Sequence, residues 1–438
     1  MKEFSAETRR QNFDHLSNQT FDLLVVGGGI VGAGIARDAS LRGLRVCLAE
    51  KGDFASGTSS KTTKLVHGGL RYLEQFDFGL VAESCSERHL LLTKLATHLV
   101  KPMSFILPIY KNRGSGRWKL KAGMMLYDLL SMFRNVHTHQ FISTKQILQK
   151  LPQLSSENLV GGFVYYDAQT WDSRLVMANI LDAHEHGATL LNYTLAKQPV
   201  QTKTGWRTEL IDQQGRKTVS VEAAHVVRAV GPWEEGLRLA KGVHIVLPHA
   251  TLPLASGLMW ELPWDHRRVF MIPRGNVTLI GTTDTDYSGT ADDIKIETED
   301  VKYLLRAIRD AFPNISISES QIIHTYAGVR PLLASNAKNS STISRRHEIQ
   351  NKNGIWHVSG GKLTTFRKMA KEMVDQITDE PCKTDQIPLP ISPLDTLYWN
   401  GNTKEILAQR PYAEKFEMVL TDEDFTHRRT PLAFWGIP

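Results

Sequence analysis

The stretch FDLLVVGGGIVGAGIARDASLRGLRVCLAE, Phe21 to Glu50, decides the fold. Its opening FDLLVV is a short apolar run of the kind that forms a buried parallel strand, and it ends in glycines. Small and apolar residues follow at Ile30, Ala33, Ile35 and Ala36 in a helical pattern that Gly43 stops, and LRVCLA then makes a second strand closing on Glu50. Gly27, Gly29 and Gly32 spell GxGxxG between strand and helix, and an acid follows about 20 residues on. The first glycine makes the turn, the second lets backbone approach a pyrophosphate, and the third packs helix on strand, while the helix N-terminus attracts the anion. Glu50 would accept from a ribose hydroxyl, and its charge argues against a ribose phosphate and hence against NADP. The motif alone does not separate FAD from NAD.

Outward from this unit, 438 residues give room for about three domains' worth of chain at roughly 150 residues each. Hydrophobic residues at 41% and charged residues at 22% exclude a disordered or fibrous chain. A net charge of +6 is too small for a nucleic-acid-binding surface, so no nucleic-acid partner is expected, whereas anionic small molecules or an anionic membrane surface stay open. Three distant cysteines, Cys47, Cys85 and Cys382, draw neither a disulfide framework nor a CxxC pair, which points to a reducing compartment. The start of the chain has no apolar stretch of signal-peptide length, and no run of about 18 apolar residues occurs. The expected location is therefore cytoplasmic, with any membrane contact peripheral and at the cytoplasmic face.

Further along, residues 81–100 carry Leu91, Leu95 and Leu99 at helical spacing, and MSFILPIY at 103–110 reads as a strand that Pro108 breaks. Residues 110–130 join five basic residues to Trp118, Met124, Met125 and Leu126; this is either a membrane-interface segment or a basic loop leading into a core helix. HVVRAV at 225–230 is a strand opening at Gly231, and residues 269–281 alternate as a hairpin. A late strand at 355–359 leads through Gly360 and Gly361 to a helix with Leu363, Phe366, Ala370, Met373 and Ile377 on one face. Prolines 388, 390 and 393 predict a linker followed by a short tail with one helical remnant.

The loop after Glu50 reads FASGTSSKTTKLVHGGLRYLE over residues 54–74, and further motifs follow: LYD at 126–128, KGVHIVLP at 241–248, GTTD at 281–284, GVRPL at 328–332 and GGKLTTFRK at 360–368. On these motifs, in this order, the chain resembles the FAD-dependent glycerol-3-phosphate dehydrogenases of the amino-acid-oxidase-like flavoprotein superfamily. The resemblance runs from Phe21 to about Ile377, with Thr58, Ser59, Ser60, Lys64, His67, Gly68, Gly69, Arg71, Tyr72 and Glu74 matching. It implies an α/β fold: a discontinuous Rossmann-like FAD domain (20–100, 155–235 and 325–380), an α+β substrate domain with an antiparallel sheet (101–154 and 236–324), and a shortened C-terminal cap (381–438).

The implied cofactor is FAD, on Gly27, Gly29, Gly32, Glu50, Thr58, Ser59, Ser60, Lys64, His67, Gly68, Gly231, Gly361, Lys362, Leu363 and Thr364. The implied reaction is oxidation of sn-glycerol 3-phosphate to dihydroxyacetone phosphate, with a membrane quinone as acceptor. Chemistry fits these residues: a helix opening at 362–365 favours a group that gains negative charge on reduction, and Arg71 and Arg330 are forks for phosphate or alkoxide, joined in the pocket by Tyr72 and Lys362. Removing a hydroxyl proton needs a near-neutral base, for which His67 is the first candidate and His244 the second. No metal is expected, since His184, Glu185 and His186 lack a third ligand and the acids at 284–293 lack a calcium loop's glycine and terminal Glu.

Two departures stand out. The family's Asn-Ala-Thr before Gly-Pro-Trp is replaced by Arg228, Ala229 and Val230, and the tail DEDFTHRRTPL, 422–432, resembles the end of a helical domain whose middle is missing. A homodimer is left open. So are two other readings: an oxygen-using oxidase of the same fold acting on glycerol 3-phosphate, an amine or an amino acid, and a flavin-binding relative without catalysis.

Overall fold

The computed structural model describes residues 1–437 apart from 112, 115, 133 and 334–345; the side chains of Arg71, Glu74, Gln75 and Asn400 also lie outside the description. Two sheets carry the molecule. In the first, Ile355–Gly360, Thr218–Arg228, Thr20–Val26, Val46–Ala49 and Thr189–Leu191 run parallel in that spatial order, with His347–Lys352 antiparallel at one edge. The parallel arrangement follows from the crossover helices Ile30–Leu41 and Asp172–Glu185, whose apolar faces bury the central strands Leu23, Val25 and Leu48 from solvent. The late helix Phe366–Val374 packs on Ile30–Leu41, with Gly34 giving room for the Phe366 ring. Its first turn, Leu363–Thr365, is a 3-10 turn after Gly360 and Gly361, both at positive φ.

Among the described residues the second sheet holds ten strands, including Lys101–Tyr110, Leu159–Gln169, Leu237–Pro248, Arg268–Arg274, Val277–Gly281 and His324–Leu333. The hairpin expected at 269–281 is present, turning at Gly275 with φ +61°. Pro108 sits within Lys101–Tyr110 opposite Gly162, and the ladder shifts register one residue later rather than ending. One face of this sheet is covered by the helix Thr298–Ala311, which buries Leu304, Leu305 and Ile308 against it. The strands Leu159–Gln169 and His324–Leu333 pair within this second sheet, although the expected boundaries put both stretches with the cofactor unit. The pairing of Leu159–Gln169 with Lys101–Tyr110 runs over ten register positions and is a long-range choice that the local pattern does not contain.

The C-terminal stretch differs from its expected form. Among the described residues it holds three α-helices, Pro393–Asn400, Thr403–Leu407 and Arg410–Phe416, followed by a π-helical turn, Asp424–Arg429, and a 3-10 turn, Ala433–Trp435, packed around Leu394, Ile406, Ala413 and Phe425, rather than a linker and one remnant. Pro393 opens a helix instead of breaking one: it stands in the first turn, where no amide is needed, behind the capping hydroxyl of Ser392. Residues 117–130 form the helix Arg117–Leu130, which buries Met124, Tyr127 and Asp128 and exposes Trp118, Met125 and Leu129. Among the described residues no helix is long and apolar enough to cross a membrane.

Candidate active site

The parallel strands end on one side in a cavity of about 290 Å³. Its floor is the GxGxxG turn. Gly27 has φ +112°, and a β-carbon there would stand 2.5 Å from the Ala229 carbonyl oxygen, so only glycine lets the turn lie against the neighbouring strand end. Gly29 caps Ile30–Leu41 without a side chain, which leaves the first turn of that helix, Gly29, Ile30 and Val31, facing the cavity. Gly32 does not line it; its role is the close packing of helix on turn. Ser59 reaches in from the following loop and accepts the Ile30 amide at 2.9 Å.

Glu50 closes the wall at the end of Val46–Ala49, where its carboxylate accepts the amides of Gly28 at 2.6 Å and Gly52 at 2.8 Å. Burial raises the pKa of this carboxyl against the lowering effect of those two amides. Gly231, Gly361, Lys362, Leu363 and Thr58 complete the expected lining, and Thr58 donates to the Val329 carbonyl at 2.7 Å, tying the loop to the second sheet. A cavity with the first turn of a helix on its floor and an acid at the strand end fits an adenine dinucleotide with ribose hydroxyls on Glu50. The residues present therefore suit FAD.

Other expected cofactor residues stand behind this lining. Ser60 gives its carbonyl to the Lys64 ammonium, and Lys64 is buried and ion-paired to Asp172 at 2.6 Å, so its charge braces the loop from behind. Burial pushes the Lys64 pKa down despite Asp172. Thr364 ties two distant motifs together: its hydroxyl accepts the His67 amide and donates to the His67 carbonyl, each at 3.1 Å. Gly68 is required by packing, because a β-carbon would come within 2.2 Å of the Tyr127 hydroxyl and 2.5 Å of the Cys85 sulfur.

The proposed catalytic residues fall into two groups. In one, His67 and Tyr72 stack with ring centres 6.5 Å apart, and Lys362 sits 3.7 Å over the Tyr72 ring while donating to Ser84 at 3.1 Å. In the other, Arg330 is held by Asp284 at 3.1 Å and by the Thr282 hydroxyl at 2.9 Å, so GTTD and GVRPL meet. His244 lies in the same strand pairing, stacked on Tyr326 at 4.7 Å and bonded through Nε2 to the Thr63 hydroxyl at 3.0 Å. Burial, then the Arg330 and Lys64 charges, drive its pKa well below the usual histidine value, so the ring is neutral; its Nδ1 is buried without a hydrogen-bond partner among the described residues. Arg71 lies in the 3-10 turn Leu70–Gln75, and its side chain is outside the described residues.

Sequence reasoning missed several wall residues. Thr194, Leu195 and Ala196 come from a short strand with no motif, and Thr62 and Trp233 stand inside motifs already quoted without having been assigned to the cofactor site. Arg228 lines the cavity, 3.6 Å from Glu234, whose other oxygen takes a 2.7 Å contact from His357; the replaced Asn-Ala-Thr motif was the only signal of it.

A family model described as FAD dependent oxidoreductase matches residues 22–376. The aerobic glycerol-3-phosphate dehydrogenases of Staphylococcus aureus strains USA300 and NCTC 8325 are 38% identical over 395 residues, covering 84% of this chain and 71% of theirs. Among solved structures, the glycerol-3-phosphate dehydrogenase from Bacillus halodurans complexed with FAD superposes with a TM-score of 0.78 at 30% identity, covering 98% of this chain and 90% of that one. An L-α-glycerophosphate oxidase from Mycoplasma pneumoniae with FAD bound shares the fold at a TM-score of 0.63 and 17% identity, over 88% of this chain and 98% of that one. On the family match, these identities and a cavity shaped for the dinucleotide, the chain belongs to the FAD-dependent oxidoreductases, in the family of the aerobic glycerol-3-phosphate dehydrogenases.

Proposed function

We propose that this chain oxidises sn-glycerol 3-phosphate to dihydroxyacetone phosphate and passes the electrons to a quinone. The observation that carries the reading is the meeting of GTTD, GVRPL and KGVHIV at one place, where Arg330 is oriented by Asp284 and Thr282 close to a neutral, buried His244. FAD, when bound, supplies the acceptor for the hydride that leaves carbon 2. Gly29 to Val31, Glu50, Ser59 and Lys362 would hold it.

The chain's own work is on the substrate. Arg330 and Lys362 supply fixed positive charge for the phosphate and for the alkoxide that develops as the hydroxyl proton leaves, with Arg71 assigned to the same task by its motif. That proton needs a neutral imidazole. His67 is the first candidate, since Thr364 fixes its backbone beside Tyr72, and His244 the second, by its place among the same meeting motifs, although burial weakens it as a base.

The test is an anaerobic visible spectrum of purified protein before and after sn-glycerol 3-phosphate. Loss of the flavin band at about 450 nm is expected; a band that persists through excess substrate would overturn the substrate assignment. Hydrogen peroxide formed in step with product would replace the quinone by oxygen as acceptor.

A quinone acceptor implies work at a membrane surface. Arg117–Leu130 supports this: Trp118, Met125 and Leu129 are exposed beside Arg117, Lys119 and Lys121 on a single helix, with Met132 exposed just beyond it. Replacing Trp118 by Ser together with Lys119 and Lys121 by Gln is expected to abolish co-sedimentation with anionic liposomes while leaving turnover with a soluble dye acceptor intact. Undiminished co-sedimentation would remove this helix from the docking face.

A further inference from the structure

The tail DEDFTHRRTPL ends against the cofactor loop, and the contact is made by buried charge. Asp53, fully buried three residues after Glu50, accepts from Arg428 Nε at 2.6 Å and from Arg429 Nη1 and Nη2 at 2.7 and 2.8 Å, and the Asn192 amide adds a fourth bond at 3.0 Å. Burial pushes the Asp53 carboxyl up, but Arg429 and Arg428 outweigh it and hold it below the usual range. The arginines are themselves fixed: Arg429 Nε donates to the Glu417 carbonyl at 2.9 Å, and Arg428 Nη2 to Asp424 at 2.7 Å, which also receives the Tyr193 hydroxyl at 2.5 Å.

Asp53 stands in the turn that leads from Glu50 to Ser59. Within it the Gly52 amide binds the Glu50 carboxylate, the Ala55 amide binds the Gly28 carbonyl at 3.0 Å, and the Ser56 amide binds the Asp53 carbonyl at 3.0 Å. Glu50, Gly57, Thr58 and Ser59 line the cavity on either side of this turn. The tail also reaches the second sheet, where Phe434 packs on Trp171 at 5.0 Å and on Tyr326 at 6.3 Å, behind the His244 ring.

We propose that residues 424–435 are a positioning clamp for the FAD site: Arg428 and Arg429, acting through Asp53, fix the turn that presents Glu50 and Ser59, so that ordering of the tail and binding of FAD reinforce each other. The inference rests on the FAD reading. A carboxylate this deeply buried cannot stay charged without its partners, so loss of the arginines frees the turn to move toward water. Coupling between two sites is reciprocal, so FAD must stabilise the tail by the same factor by which the tail tightens FAD.

Two measurements on the full chain test this. Tryptic cleavage after Arg428 and Arg429 is followed by mass, with and without saturating FAD; FAD is expected to slow it about tenfold, within the usual range of such couplings. The FAD dissociation constants of apoproteins are then compared by flavin fluorescence. Arg429→Lys, which keeps the charge but loses the two-pronged contact, is expected to weaken FAD about tenfold. Ile406→Ala, which loosens the same C-terminal cluster away from Asp53, is expected to change it less than about threefold. Equal cleavage rates with and without FAD overturn the clamp, as does wild-type affinity in Arg429→Lys or an equal loss in Ile406→Ala. If Arg429→Lys does not fold, the protease comparison on the unaltered chain decides. Failure of the unaltered apoprotein to take up any FAD would instead overturn the cofactor reading.

Discussion

Arg330→Met is expected to lower kcat/KM for sn-glycerol 3-phosphate about a thousandfold, equivalent to about 4 kcal/mol of transition-state stabilisation, while the protein still binds FAD and shows its visible spectrum. Arg330 lies on His324–Leu333, an edge strand of the second sheet paired along Leu237–Pro248, opposite Ala240, with Asp284 and Thr282 directing its guanidinium. A fork held in this way is paid for in advance, so its two donors meet developing negative charge without first being ordered. Two charge-assisted hydrogen bonds at about 1.5–3 kcal/mol each account for the magnitude. Methionine keeps the length of the side chain and removes both donors. Arg330→Lys should fall between, since it retains charge but cannot bind two oxygens at once. Equal falls in kcat and kcat/KM would mean that the fork acts mainly in the transition state, and a rise in KM alone would mean that it binds phosphate uniformly. Unchanged turnover in Arg330→Met would break the pocket assignment.

The cofactor unit was legible because its signals are contiguous. Phe21 to Glu50 contains the strand, turn, helix, strand and acid in one run, and their packing follows from small residues at Gly32 and Gly34 that the sequence displays. Motif matching extended this to residues whose meaning is tertiary, such as Thr364, which bonds His67 across 297 residues. What stayed hidden depends on long-range return of the chain without a local mark. Thr194 to Ala196 join the cavity wall because their strand follows Thr189–Leu191 at the edge of the parallel sheet, and three residues of alternating pattern carry no sign of it. Leu159–Gln169 reads as easily for either sheet; ten cross-strand partners on Lys101–Tyr110 decide it. Arg428 and Arg429 stand within DEDFTHRRTPL, where nothing local marks a buried acidic partner. Only the fold brings Asp53 beneath them, 375 and 376 residues away.

Gly32→Ala is expected to yield folded but colourless protein, with FAD affinity reduced at least about a hundredfold, and the reason is separable from general damage to the helix. A β-carbon at residue 32 would lie 1.9 Å from the Gly27 carbonyl oxygen, and that oxygen is backbone of the turn itself. No side-chain rotation relieves this contact. Either the helix Ile30–Leu41 lifts from the strand or the turn re-forms, and both displace the amides of Gly29, Ile30 and Val31 from the cavity floor. The second sheet keeps its own core, built on Val243, Leu258 and Ile308, and so should stay folded. Gly34→Ala, two residues along the same helix, supplies the contrast. Its β-carbon would meet the Phe366 ring at 3.0 Å, a contact that a small ring displacement relieves, and alanine is the better helix former by about 1 kcal/mol. Gly34→Ala should therefore retain FAD. Absorbance at 450 nm relative to 280 nm, with circular dichroism as the check on folding, separates the two variants: a yellow Gly32→Ala protein would mean that the turn tolerates displacement and that the cofactor is held from the loop side, by Glu50 and Ser59.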